Sequence, residues 1–151
     1  MRKALAYPLT VVYYLAFLTS LLVFHAIQWA CYYAFGNQAH KWSVNLLNAT
    51  LIGCLGLIGT KISFSNPHKL RNDKPHIIVC NHQSLYDIPP LIWYLRKIHP
   101  KFISKKELGR GIPSVSFNLR HGGSLLIDRN KPNDALIAIE DYATVLNDTN
   151  S

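Results

Sequence analysis

His76-Ile77-Ile78-Val79-Cys80-Asn81-His82-Gln83-Ser84-Leu85-Tyr86-Asp87 decides how this chain is read. Its first five residues form a short apolar run, β-branched at Ile77, Ile78 and Val79 and bounded by Pro75 and by polar residues. Such a run suits a buried parallel strand better than a five-residue helix. Asn81-His82 follows at once, and in open α/β sheets the reactive groups gather at the carboxyl ends of the strands. An imidazole there can act as a general base near neutral pH when a carboxylate fixes its tautomer. Asp87 is the candidate. On a continuous helix a five-residue spacing would separate the two by about 140°, so a turn has to intervene. Pro89 and Pro90 lack N–H groups and are tolerated among the first four helical residues. They set a helix start near Asp87 and so keep a second reading open, in which Asp87 is only an N-cap. The matching alternative for His82 is an ordinary surface or core histidine.

Outward from this segment, strands and helices are expected to alternate. Lys61-Ile62-Ser63-Phe64-Ser65 alternates like a half-buried strand before Asn66-Pro67 breaks it, and a basic turn follows. Asp87 to Lys97 reads as a helix, Lys101 to Ser104 and Ser124 to Ile127 as strands. Asn133 to Leu146 repeats Leu136, Ile139, Ala143 and Leu146 at helical spacing. This is the pattern of an α/β layer. The expected fold class is α/β: an N-terminal membrane helical hairpin (residues 1–60), then a partial, mostly parallel α/β domain (residues 61–151).

The hairpin is read from the absence of charge. Between Lys3 and Lys41 there is no Asp, Glu, Lys or Arg, and residues 8–35 reach the length of about 20 apolar residues that a membrane helix needs. Trp29, Tyr32, Tyr33 and Phe35 gather near its end, where aromatic rings favour the headgroup layer. A second uncharged run, Trp42 to Thr60, is shorter and more polar, and suits either a second crossing or a re-entrant helix. Two alternatives remain for the first run: a cleaved signal peptide and a buried helical pair of a soluble protein. Basic residues flank both runs, which points the rest of the chain to the cytoplasmic face; Lys41 in the connector works against that orientation.

Sixteen Lys and Arg against eight Asp and Glu, a formal charge of +8, attract polyanions of any kind: nucleic acid, anionic headgroups or a phosphorylated substrate. The basic residues flank apolar segments and no nucleic-acid recognition motif is present, so nucleic acid is not an expected partner. Cys31, Cys54 and Cys80 are odd in number and widely spaced, suggesting neither a disulfide framework nor a zinc site. No metal is expected.

Asn81-His82-x-Ser84-x-x-Asp87 after a short apolar run resembles the first sequence block of the glycerolipid acyltransferases, typified by the 1-acylglycerol-3-phosphate acyltransferases. Lys101-Phe102-Ile103-Ser104-Lys105-Lys106-Glu107-Leu108 is similar to the Lys-x-Glu-Leu stretch of that family. Ile112-Pro113 follows as it does there, and Gly123-Ser124-Leu125-Leu126-Ile127-Asp128-Arg129 resembles the second block. The resemblance covers roughly residues 61 to 147 and suits a preceding membrane anchor.

The resemblance implies acyl transfer to lysophosphatidate, giving phosphatidate, with His82 and Asp87 catalytic. The acyl donor would be acyl-coenzyme A or acyl carrier protein, with no other cofactor, and membrane lipids would surround the enzyme. Arg129 and Lys105 would contact the substrate phosphate, while Asn81, Ser84 and Glu107 support the motifs. The alternatives for the two cations are pairing of Arg129 with Asp128 or Asp134, and a solvated face at Lys105-Lys106. Acylation of glycerol-3-phosphate or of another lysophospholipid, and a non-catalytic membrane-associated lipid-binding protein, are the competing functions. A third family block, roughly Phe-Pro-Glu-Gly-Thr-Arg, has no counterpart, since Glu107 and Glu140 are the only glutamates and neither precedes glycine. The expectation is therefore a C-terminally truncated chain, inactive alone. Ser116 stands where the family commonly has glycine.

Overall fold

The computed structural model describes residues 2–65, 70 and 76–148, with side chains described for 6–65, 70 and 76–146. Residues 1–100 and 101–151 form two compact units.

The first unit is built on two helices, α1 (Arg2–Phe35) and α2 (Asn37–Leu57). Gly36 separates them at φ +80, a left-handed conformation that costs glycine little. It accepts that turn while its N–H still bonds the Tyr32 carbonyl at 3.1 Å. From there α2 packs back along α1, with the Tyr32 and His40 rings 5.6 Å apart near the turn and Ser20 Oγ 3.9 Å from Cys54 Sγ further along. The buried residues of α2 are His40, Ser43, Val44, Leu47, Asn48, Leu51, Cys54 and Leu55. Their spacing of three and four places them on one helical face. Four of these are polar or sulfur-bearing, and Ser43 and Asn48 bond carbonyls of their own helix, those of His40 and Val44, at 2.7 Å each. Tyr13, Cys54 and Leu55 form the core of the seam, with Ala16, Phe17 and Ile62 packed against them.

Most of the rest of α1 is uncovered. Ala6–Phe35 is 30 residues long with mean hydropathy 1.9 and few buried positions, and it is the one helix among the described residues long and apolar enough to cross a membrane. Leu9, Val11, Val12, Leu15, Leu18, Leu22 and Val23 all lie exposed. α2 does not meet that criterion.

The two strands expected at Lys61–Ser65 and His76–Cys80 are not formed. Neither segment has a ladder partner among the described residues, and Ile77 and Val79 are 96% and 88% exposed. A β-branched run makes a strand only when another strand accepts its hydrogen bonds, and the described residues of the first unit supply none. The break at Asn66-Pro67 and the basic turn lie outside the described residues. α3 (Ile88–Tyr94) begins where the prolines require, with Pro89 and Pro90 in its first turn, and packs on α2. It is shorter than the helix expected to Lys97, unwinding into turns in which Leu95 N–H bonds Leu91 O and Ile98 N–H bonds Leu95 O.

The second unit is a single crossover. β1 (Ile103–Lys105) leads through a 3₁₀ turn (Lys106–Gly109) and α4 (Val115–His121) to β2 (Leu125–Ile127), which pairs with β1 in parallel. The register is Ile103 to Leu125, Ser104 to Leu126 and Lys105 to Ile127. Lys101 Nζ donates to Gly122 O at 2.9 Å, and Phe102 N–H donates to Ser124 Oγ at 3.2 Å, extending the join below the ladder. α5 (Pro132–Asp148) covers β2 and ties back through the Tyr142 hydroxyl, which donates to the Gly123 carbonyl. The fold is thus mostly helical with a two-stranded parallel sheet, less sheet than a full α/β layer. The expectations for β1, β2 and α5 agree with the structure to within a few residues.

Candidate active site

The His82 to Asp87 segment is one tight turn held by its own polar groups. Ser84 is extended and caps a 3₁₀ turn at Leu85–Asp87: its hydroxyl accepts the Tyr86 N–H at 3.3 Å, and its carbonyl accepts the Asp87 N–H at 3.0 Å. The Asp87 carboxylate reaches backward. Its Oδ2 accepts the N–H groups of Gln83 and Ser84, each at 2.8 Å. This is the arrangement of a capping box, the Asp87 side chain satisfying the Ser84 N–H and the Ser84 side chain an N–H within the turn.

The same oxygen lies 3.3 Å from His82 Nδ1. Asp87 also stands at the N-cap of α3 but makes no side-chain bond into that helix. The carboxylate therefore turns back onto its own turn, toward the Gln83 and Ser84 N–H groups and the imidazole, and away from α3. Its pKa is held below the ordinary carboxylate value, first by the Ser84 and Gln83 N–H donors and less by His82, with partial burial working the other way. An ionised carboxylate facing Nδ1 favours the tautomer with the proton on Nδ1 and the lone pair on Nε2. The imidazole is partly exposed.

Beside the turn runs an open groove of about 610 Å³, walled by Leu55, Ile62, Phe64 and Leu91 with Asn81 and Asp87 on its polar side. The Phe64 and Tyr94 rings stack in parallel at 4.8 Å along it. Asn81 is exposed on this groove and Ser84 half-buried in the turn.

In the second unit, Lys105 is the last residue of β1 and Arg129 stands two residues past the end of β2. Both come from the carboxyl end of the parallel pair, where open sheets carry their ligands. Lys105 Nζ is 3.7 Å from Glu107 Oε1, so these two motif residues meet each other. Arg129 is exposed and makes no ion pair among the described residues. The two acids expected as its alternatives have other partners: Asp128 Oδ1 accepts the Asn130 N–H at 3.0 Å, and Asp134 Oδ2 is 4.0 Å from Lys131 Nζ.

Three contributors escaped the sequence reading. The Gln83 and Ser84 amides are backbone groups, signalled only by the Ser84-x-x-Asp87 capping spacing. Tyr86 packs edge-on against Tyr13 and Phe17 of α1, at ring separations of 5.9 and 6.2 Å, a contact that no local pattern announces. Ser116, treated as a departure, is buried: its hydroxyl donates to Leu108 O at 2.8 Å and accepts the Ile112 N–H at 3.0 Å.

No curated protein and no solved structure matches the chain. Residues 61–151 match the family model described as Acyltransferase, a span that takes in the His82–Asp87 turn, Lys105, Glu107 and Arg129. With more than half of its residues inside that match, the chain belongs to the glycerolipid acyltransferase family.

Proposed function

We propose that the protein transfers a fatty acyl group from an acyl thioester, coenzyme A or acyl carrier protein, to the free hydroxyl of lysophosphatidate. The observation that carries this reading is the 3.3 Å approach of His82 Nδ1 to an Asp87 carboxylate already pinned by two backbone N–H groups. His82 Nε2 takes the hydroxyl proton as the oxygen attacks the thioester carbonyl. The tetrahedral adduct collapses, the carbon–sulfur bond breaks, and the thiolate leaves with the proton returned from His82. The thioester is already activated, so positioning and proton transfer are the protein's main tasks. Arg129 and Lys105 are the proposed phosphate contacts, a guanidinium binding two oxygens and an ammonium acting as a point charge. The mainly apolar groove beside Asp87 suits a fatty acyl chain.

α1 is proposed as a membrane anchor that packs with α2 as a hairpin, with the catalytic turn on the cytoplasmic side. About 45 Å of apolar helix exceeds the roughly 30 Å hydrocarbon core, and its exposed leucines and valines would otherwise face water. The test is acyl transfer by full-length protein in membranes, wild type against His82→Ala, offered lysophosphatidate, glycerol-3-phosphate and other lysophospholipids with either donor. Loss of transfer by roughly 100-fold or more, with unchanged membrane recovery, supports the assigned base. Unchanged transfer rejects it. Preference for another acceptor moves the substrate, and no transfer by wild type favours the lipid-binding reading.

A further inference from the structure

The catalytic turn is anchored at its downstream end by α3, whose Pro89, Ile92 and neighbouring Leu95 are buried, whereas residues 76–83 upstream are exposed. A turn held only at its downstream end can unwind from its exposed upstream end unless a side chain stops it. Tyr86 is the side chain placed to do so. It lies between Ser84 and Asp87 in the capping box, its N–H bonded to Ser84 Oγ. Its ring meets the rings of Tyr13 and Phe17 on α1, at interplanar angles of 73° and 89°. Edge-to-face pairs at such separations are directional, so they set orientation as well as proximity. The receiving surface is closely packed: Tyr13 is 2% exposed in the seam with Cys54 and Leu55, while Tyr86 keeps 37% exposure as a ring laid on that surface.

We propose that Tyr86 is a positioning residue that ties the His82–Asp87 turn to α1 through Tyr13 and Phe17, making α1 part of the catalytic apparatus as well as an anchor. The inference rests on the proposed His82 base for its effect on rate, and on geometry alone for its effect on Asp87. Without the ring the Leu85–Asp87 turn unwinds against the exposed segment before it, drawing Asp87 Oδ2 away from the Gln83 and Ser84 amides and the imidazole from its substrate. A misplacement of about 1 Å costs on the order of 100-fold in such reactions.

The experiment uses full-length protein in detergent or lipid, with Tyr86→Ala, Tyr86→Phe, Tyr13→Ala and the double alanine variant. Two readouts are taken: kcat and KM for acyl transfer, and the Asp87 carboxyl pKa from carbon NMR, which needs no turnover. Tyr86→Ala and Tyr13→Ala are each expected to lower kcat roughly 10- to 100-fold with little change in KM. The double variant should be no worse than either single one. The Asp87 pKa should rise toward the ordinary carboxylate value in the alanine variants, and Tyr86→Phe should restore both readouts. A kcat within about twofold of wild type together with an unmoved Asp87 pKa, fully additive losses, or failure of Tyr86→Phe to rescue overturns the proposal. Should His82→Ala retain activity, the base assignment fails while the Asp87 titration still decides the role of Tyr86.

Discussion

His82 Nδ1 lies 3.3 Å from the Asp87 oxygen that also accepts the Gln83 and Ser84 N–H groups. One oxygen thus shapes the turn and faces the imidazole. Replacing Asp87 by Asn separates these tasks only in part, because the amide oxygen can still accept from the backbone but no longer compensates an imidazolium. Asp87→Asn is expected to lower kcat by roughly 100-fold or more while leaving membrane recovery and α3 intact. Steady-state kinetics with circular dichroism check this, and near-normal kcat in a folded variant would remove Asp87 from the mechanism.

The pH dependence of the turn follows from the depressed Asp87 pKa. A carboxyl whose folded pKa lies below its unfolded value binds protons more readily when unfolded. Its stabilising contribution is present above the ordinary carboxylate pKa and is lost as pH falls through the depressed folded value. The turn should therefore hold at neutral pH and loosen only in acid, below the usual carboxylate range. Amide hydrogen exchange at Gln83 and Ser84, followed against pH after correction for intrinsic rates, should lose protection in that acidic window. An opening that tracks the ordinary carboxylate range would show that the two N–H bonds do not hold the charge.

Arg129, exposed beyond the end of β2, has its neighbouring acids occupied by Asn130 and Lys131. If it meets the substrate phosphate, truncation removes charge-assisted hydrogen bonds worth about 1.5–3 kcal/mol. Arg129→Ala should raise the KM for the phosphorylated acceptor by roughly 10- to 100-fold, and Arg129→Lys should recover only part, since an ammonium cannot bind two oxygens from one plane. Initial rates across acceptor concentrations settle the matter, and an unchanged KM in the alanine variant would reject the contact.

Ser116 converts a departure from the family pattern into a structural requirement. Its buried hydroxyl bridges Leu108 O and Ile112 N–H, closing the loop between the 3₁₀ turn and α4. Ser116→Ala leaves both groups without that partner, at a cost of about 1–3 kcal/mol. Urea unfolding of the second unit's signals should show it. A change within about 0.5 kcal/mol, the range of an indifferent surface substitution, would mean that the loop finds other partners.

How far the sequence could be read depended on where each element's partners lie. α1 carries its own signal, an uncharged apolar run of membrane length, and α5 carries a helical repeat of apolar positions. β1 and β2 were visible because their partners are each other, one crossover apart. Ile77-Ile78-Val79 was not, because its composition describes a strand's suitability and leaves its pairing unspecified. Asp87 illustrates the same limit at the site. The spacing allowed a helix cap or a histidine partner, and the carboxylate does part of each, accepting Gln83 and Ser84 amides whose direction only the folded turn defines while facing His82. Ser116 and Tyr86 act through residues far along the chain or through main-chain groups, so nothing in their immediate neighbours marks them.

The membrane reading of α1 is open to a direct challenge through Leu18 and Leu22, both exposed on the long helix. On a lipid-facing surface, an arginine near the centre of a span costs about 2.5–3.5 kcal/mol on insertion. Leu18→Arg/Leu22→Arg doubles that cost without touching Tyr13, Cys54 or Leu55, so the seam between the helices should survive. The doubly substituted protein is expected to shift from the membrane pellet to the alkaline-extractable fraction, while Leu18→Ile/Leu22→Ile remains in the pellet. Intact mass of the recovered protein shows whether the first helix is retained, which a cleaved signal peptide would not allow. If the arginine variant stays embedded, the exposed face of α1 is covered by protein and the helix is no lipid-facing anchor.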